Sequence, residues 1–567
     1  MASVDKDLEE LMSHLGDFGK YQSGQFCLHL LGALLAGLHM LSLLTVAAVP
    51  PHRCDIPAAN LSSSSSWTSD TSFDTSAAGW NSSSEHLPRA IDSCHYLDRD
   101  NVTRECDSWT YDTTYFQSSR GMEWNFVCSR RWMGSLAQSA YMFGVFAGSL
   151  TLGSLADTYG RKIVFCVSAV AQLVLGVSVA FMNNYYVFLV LRFLYGIFGS
   201  AGAYITGFVL TMELVGPSRR TVCGVMFQLA FAAGFMLVAA WGVVIKDRMW
   251  LQIVYGAHSA LLLVHWWLMD ESPRWLWAHD RASEAIVIVQ RALKVNGSNV
   301  KVEAAKLIGR SRAQQETKTD RSHGTLDLFR TPNLRNKSLN ICLNWFANSI
   351  VYYGLSLNMG NLVGNPFVML FLSGLVELPA YILVVFTMDR LGRRCLVSAL
   401  LLTGGACCIC AANIAASSEI ASIITVTIVL IGKACVAGSF AVVYNYTAEL
   451  FPTVVRNTAL GIGSMCARLS GALTPMIFLL DSLNPKVPAV LFGLVALLAG
   501  FLALYLPETL NQPMPETIED GENFGKGDTC FTTCLGGRAR VASSNNVAMT
   551  AQVNEEEDGE KEKLNNI

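Results

Sequence analysis

Charge is scarce in this 567-residue chain: Asp, Glu, Lys and Arg make up 15% of it, where a soluble globular protein carries about a quarter. Neither sign dominates either. The formal net charge is −3, too small to imply a nucleic acid or another polyanion as partner. The chain lacks a Gly-rich phosphate loop, a serine-hydrolase elbow and any His/Cys cluster with metal-ligand spacing, and His29, His39 and His265 stand scattered in apolar surroundings. These absences argue against an enzyme, and no metal or cofactor is expected. What is abundant is apolar: hydrophobic residues make up 52% of the chain. Cys166, Cys223, Cys407, Cys408 and Cys435 fall within apolar runs and read as small membrane residues.

Twelve runs are long and apolar enough to cross a bilayer as helices. They lie near 22–48, 133–155, 163–182, 186–212, 222–245 and 250–269, then near 338–358, 366–388, 395–416, 419–444, 457–480 and 487–506. The first follows an acidic start (Asp5, Asp7, Glu9, Glu10) and is too long for a cleavable signal peptide. The chain thus divides into a cytoplasmic N-terminus (1–21), a six-helix half (22–270), a linker (271–337), a second six-helix half (338–506) and a solvated cytoplasmic tail (507–567). Thirteen Lys and Arg in 271–337 mark the linker as cytoplasmic. The loop 49–131 then faces outward from the plasma membrane. It carries the glycosylation acceptors Asn60, Asn81 and Asn101. Its four cysteines, Cys54, Cys94, Cys106 and Cys128, suit two disulfides in an oxidising compartment, with all three pairings open. The sequons at Asn296 and Asn336 fall on the cytoplasmic side and that at Asn445 in a helix, so these should stay bare.

Three marks at the ends of apolar runs occur twice, in the same order. Asp157-Thr-Tyr-Gly160-Arg161-Lys162 returns as Asp389-Arg-Leu-Gly392-Arg393-Arg394; Glu213 and Arg220 return as Glu449 and Arg456; Glu271-Ser272 returns as Glu508-Thr509. Two parallel membrane halves around a central pathway are the signature of an alternating-access transporter.

Gly153-x-Leu155-x-Asp157-x-x-Gly160-Arg161-Lys162 resembles the loop 2–3 signature of the major facilitator superfamily. With the long outer loop, Trp124-Asn125-Phe126-Val127-Cys128, Glu271-Ser272-Pro273-Arg274-Trp275-Leu276 and Ala448-Glu449-Leu450-Phe451-Pro452-Thr453, the chain resembles solute carrier family 22, the organic cation, carnitine and organic anion transporters. The likeness runs from about Leu15 to Pro515, and the segment Pro515–Gly525 looks like the arthropod organic cation transporter branch. The resemblance implies an all-α membrane protein with the major facilitator fold, twelve transmembrane helices in two six-helix halves.

The duplicated charges suggest a latch. A carboxylate at a helix end, facing an arginine across the interface between halves, must separate when the cytoplasmic side opens. Asp157, Arg161, Glu213 and Arg220 would build it in the first half, and Asp389, Arg393, Glu449 and Arg456 in the second. The bland alternative is that such charges only anchor helix ends.

Substrate should meet the midplane between the halves. Arg468 lies roughly 18 Å along its helix from Arg456, well inside a core of about 30 Å. Glu377 lies at similar depth on the eighth span, and Lys433 in the outer half of the tenth. A buried ion there needs water, a partner or a ligand; the structural alternative is a Glu377–Arg468 or Glu377–Lys433 pair. By resemblance, cation-selective relatives carry an acid where Met465-Cys-Ala-Arg468 has Arg; the anion and carnitine members carry Arg there and resemble Gly432-Lys433, and anion carriers usually place Lys where Tyr381 matches the carnitine type. The implied substrate is a small zwitterion or cation, carnitine-like or β-alanine-like. Tyr352 and Tyr353, then Phe227, Phe440 and Tyr444, are candidates to hold its ammonium group, with Gln228 and Asn348 as uncharged hydrogen-bonding partners. Ala203-Tyr204 stands where carnitine-type relatives have Asn-Tyr, so Na⁺ or counter-substrate coupling stays open. Arg192 reads as a residue that snorkels to the interface. The alternatives are an organic anion exchanger, a strictly cation-selective carrier or a non-transporting receptor.

Overall fold

Within lipid a backbone must satisfy its own polar groups, so isolated apolar runs of this length have the helix as their solution. The computed structural model describes residues 12–55, 89–98, 100, 102–298, 325–362, 364–414 and 418–530. Its first half contains α1 (Lys20–Val46), α2 (Trp132–Tyr159), α3 (Arg161–Ser178), α4 (Tyr185–Gly196, continued by a π segment Ile197–Ile205 and by Thr206–Leu214), α5 (Arg220–Val244) and α6 (Arg248–Ala257, continued by 3₁₀ turns to Val264 and one α turn to Leu268). Two short helices follow, α7 (Pro273–Ala278) and α8 (Ala282–Val295). The second half contains α9 (Pro332–Asn358), α10 (Pro366–Leu391), α11 (Arg393–Asn413), α12 (Glu419–Leu450), α13 (Arg456–Ile477) and α14 (Val487–Ala503), and α15 (Ile518–Asn523) lies beyond.

Each of the twelve expected runs coincides with a helical segment. Nine of the described helices are long and apolar enough to cross a membrane. The other three are α6, broken by its 3₁₀ stretch, the asparagine-rich α9, and α14, only 17 residues long. Within the first half α1 packs on α5 and α2 on α4; within the second, α11 packs on α12 and α14, and α9 on α13. The halves meet where α2 faces α13 and α5 faces α10.

The outer-loop region departs from an all-helical reading. Outside the hydrocarbon, short strands can pair, and they do: His52–Cys54 pairs antiparallel with Trp109–Tyr111, while Arg89–Ala90, His95–Leu97 and Thr103–Glu105 form a three-stranded sheet. Disulfides Cys54–Cys106 and Cys94–Cys128 close this layer. Asn60, Asn81 and Asn101 lie outside the described residues. Buried Arg120 docks the loop on the bundle. It donates to the carbonyls of Val179 (3.3 Å) and Ala180 (2.9 Å), where the helical segment after α3 ends, and lies 4.7 Å over the Trp124 ring, a cation placed where a helix end is negative.

The opposite, linker end is also tied down, and here the tail corrects the expectation of a fully solvated segment. Ile518 and Phe524 pack against the core. The Glu522 carboxylate accepts from the backbone N–H of Asn333 and Leu334, both at 2.9 Å, at the start of α9. Lys337 donates to the Gly521 carbonyl at 3.0 Å. On the first half, the Asn296 side chain accepts from the Tyr21 N–H at 2.9 Å and donates to Gln22 at 2.9 Å, fastening α8 to α1.

Candidate functional site

The duplicated turns at the linker end share one construction. Gly160 (φ 105°) and Gly392 (φ 84°) adopt a backbone that side-chain-bearing residues rarely take. A Cβ there would also sit 2.5 Å from the carboxylate of Glu271 or Glu508. Those carboxylates cap the helices that follow. Glu271 accepts from the N–H of Arg161 (3.1 Å) and Lys162 (3.0 Å), and Glu508 from the N–H of Arg393 (2.8 Å) and Arg394 (3.2 Å). An acid at an N-terminus meets unpaired donors and a favourable dipole. Burial raises the Glu271 carboxyl above its usual range, against the pull of those N–H groups and of Arg161.

The arginines fold back onto their own halves. Arg161 lies 2.9 Å from Asp157 and 3.1 Å from Glu213; Arg393 lies 3.1 Å from Asp389 and 2.9 Å from Glu449. Arg220 and Arg456 donate through Nε to the carbonyls of Val215 and Phe451, again within one half. In this conformation the described ion pairs of both clusters thus lie within one half and none runs across the interface. Asp157 stands one turn before Arg161, and Glu213 ends a helix packed beside it, so the near carboxylates are internal. Thr509 completes the second cluster by donating to Glu449 at 2.6 Å.

Several of the described contacts that join the halves lie at the loop end. Arg131, before α2, pairs with Asp481, after α13. Ser139 donates to the Ala472 carbonyl at 2.9 Å, and Phe116 meets Phe367, at the start of α10, with ring centroids 5.1 Å apart. At the linker end the carboxylate side chains of Asp157 and Asp389 are 73% and 72% exposed.

Between these ends the helices place aromatic rings in a continuous set. On the first half Tyr204 and Phe208 of α4 meet Phe227 of α5 at 6.0 and 5.4 Å, and Phe231 meets Phe235 at 5.0 Å. On the second half Trp345, Tyr352, Tyr353, Phe440 and Tyr444 contact one another, the tightest pair being Trp345–Tyr444 at 4.3 Å. Phe208–Tyr444 (6.4 Å) and Phe235–Tyr352 (6.3 Å) bridge the halves. Trp345, Tyr204, Phe208, Phe231 and Phe235 were not among the expected site residues. Their signal was present: Tyr204/Phe208, Phe227/Phe231/Phe235 and Phe440/Tyr444 recur at four-residue spacing, which stacks side chains on one helix face.

The ionisable candidates separate into two groups. Glu377 and Lys433 are fully buried and paired at 3.0 Å. Tyr352 (3.1 Å) and Tyr381 (3.0 Å) both donate to Glu377, and Lys433 also donates to Ser356 and lies 3.2 Å over the Tyr352 ring. These groups answer one another. Arg468 is different. It is half-buried, its described hydrogen bonds run from Nη1 alone to the carbonyl and hydroxyl of Ser464, and its charge reaches the phenols of Tyr204, Tyr353 and Tyr444. Asn348 is buried and donates to the Asn344 carbonyl at 2.9 Å, whereas Gln228 stays partly exposed on α5. Arg192 does not snorkel: it is 0% exposed inside the first half, because the guanidinium turns inward over Tyr141.

A family model described as "Sugar (and other) transporter" matches residues 90–520. The chain is 38% identical over 537 residues to an organic cation transporter protein of Drosophila melanogaster, covering 91% of this chain and 95% of that one. It is 30% identical over 540 residues to human solute carrier family 22 member 2, with coverage of 91% and 95%. Among solved structures it is similar to the xylose transporter XylE of E. coli in a partially occluded inward-open conformation. The TM-score is 0.58 and the identity 17%, over 87% of this chain and all of that one, a likeness of fold.

Proposed function

Because the chain belongs to solute carrier family 22 of the major facilitator superfamily and has that superfamily's fold, we propose that it is a secondary transporter of small organic cations and zwitterions, carnitine-like or β-alanine-like, working by alternating access at the plasma membrane. One observation carries the reading: Arg468, which pairs with no carboxylate among the described residues, lies beside aromatic rings that meet across the two halves. Aromatic faces attract an ammonium group by about 0.5–2 kcal/mol each. A guanidinium binds a carboxylate through charge-assisted hydrogen bonds. A zwitterion satisfies both at once.

In this reading the loop end is extracellular and the conformation is closed outside. Arg131–Asp481 and Phe116–Phe367 then close the outer gate. The clusters around Arg161 and Arg393 stiffen each half at its cytoplasmic turn while the halves rock. Glu377 and Tyr381 of α10, Lys433 of α12, and Tyr352 and Ser356 of α9 hold these three helices together beside the aromatic set.

Uptake by transfected cells of labelled carnitine, β-alanine, tetraethylammonium and p-aminohippurate tests the proposal. Saturable accumulation of zwitterions, with competition by tetraethylammonium, is the expected result. Uptake of p-aminohippurate alone, or binding without accumulation, refutes it. The names of the organic cation relatives favour a second reading, a carrier of simple cations; there tetraethylammonium would enter and the zwitterions would not.

A further inference from the structure

Arg192 is a buried positive charge that pairs with no carboxylate among the described residues. It is 0% exposed, seven residues into α4, and enclosed by α1, α2 and α4. Its guanidinium lies 4.6 Å over the Tyr141 ring and makes one long hydrogen bond, Nη2 to the Gln138 amide oxygen at 3.4 Å. The donors of Nε and Nη1, three of the five a guanidinium carries, meet no acceptor among the described residues. The neighbouring polar groups are committed elsewhere. The His39 ring nitrogens are within hydrogen-bond distance of the Tyr195 hydroxyl (2.5 Å) and the Ser259 hydroxyl (3.0 Å), and Gln138 donates to the Met40 carbonyl. The titratable groups that face Arg192 are the phenols of Tyr141 and Tyr195 and the His39 ring, with no carboxylate among them.

An isolated ion in an apolar interior costs several kcal/mol even after relaxation, and arginine cannot escape by releasing its proton. Something must therefore answer this charge. We propose that Arg192, with Tyr141, Gln138 and Tyr195 around it, forms a binding site for a small inorganic anion, chloride being the abundant one. Full burial of the guanidinium favours a small inorganic anion over a bulky organic carboxylate. The site lies inside the first half and is independent of which substrate is carried. Its occupancy bears on transport through α2, which supplies Gln138 and Tyr141 to the anion and, from the adjacent Ser139, reaches α13 across the interface.

The test uses purified full-length protein at constant ionic strength, with chloride exchanged for gluconate and thermal stability as readout. A bound anion stabilises by mass action. Stability should therefore rise saturably with chloride, rise equally with bromide, and stay flat with gluconate. Arg192→Gln should abolish the dependence and Arg468→Ala should keep it. Dependence that survives Arg192→Gln, or disappears in Arg468→Ala, places the anion elsewhere and overturns the proposal. If Arg192→Gln does not fold, wild-type protein crystallised in bromide decides. An anomalous peak in contact with Arg192 upholds the site, and water alone at that position, like a wild-type stability indifferent to halide, removes it.

Discussion

The buried Glu377–Lys433 pair allows a quantitative test of which central charges are architecture. Both side chains are fully buried, and Glu377 also receives two tyrosine hydroxyls while Lys433 rests on the Tyr352 ring. Removing one member strands the other without its counter-ion, a loss of about 3–5 kcal/mol. Removing both leaves no stranded charge, and well-packed replacements of such pairs are often neutral or stabilising by about 1–4 kcal/mol. The predicted order of thermal stability is therefore wild type and the double variant Glu377→Gln/Lys433→Met together at the top, with Glu377→Gln and Lys433→Met each well below. Melting of the purified variants reads that order directly. Uptake, corrected for surface expression, should follow the same order. Single variants as stable as wild type would show that the two groups do not depend on each other. A double variant that is stable and reaches the surface, yet no longer recognises substrate, would make the pair part of the binding site and refute the structural assignment.

Arg468→Ala should weaken a carboxylate-bearing substrate by about ten- to a hundredfold, from the roughly 1.5–3 kcal/mol of one charged hydrogen bond. It should spare tetraethylammonium, which gains from removal of a like charge; inhibition curves for the two substrates check this, and equal loss of both would make Arg468 structural. Glu213→Gln and Glu449→Gln should lower transport rate while substrate binding persists, and wild-type turnover in both would refute a conformational role for the linker-end clusters. Asp481→Asn breaks the pair with Arg131, whose side chain is 56% exposed, so the effect on opening should be small, about 1 kcal/mol or less; accessibility of cysteines placed at the loop end should rise by no more than several-fold. Glycosidase treatment should shift the mobility of the intact protein through Asn60, Asn81 and Asn101, and protection of the loop in intact cells would invert the topology.

Local and repetitive information was legible from the residues alone. Apolar runs announce helices because lipid leaves the backbone no other partner. The repeated Asp157/Asp389, Glu213/Glu449 and Glu271/Glu508 marks announce two halves because identical turns need identical residues. What the chain could not announce was which atom answers which. Four loop cysteines permit three pairings, and only the packing of the short strands brings Cys54 to Cys106 and Cys94 to Cys128. Arg161 and Arg393 had carboxylates available in either half, and the fold of their turns chose the near ones. Glu377, Lys433, Arg468 and Arg192 look alike as lone charges in apolar runs. Helix rotation and neighbour contact bury two of them as a pair, turn the third toward aromatic rings and enclose the fourth with no carboxylate beside it among the described residues. A charge on a helix is specified by its sequence position; its counter-charge is specified by what lies about 3 Å away, and that distance is decided by tertiary packing.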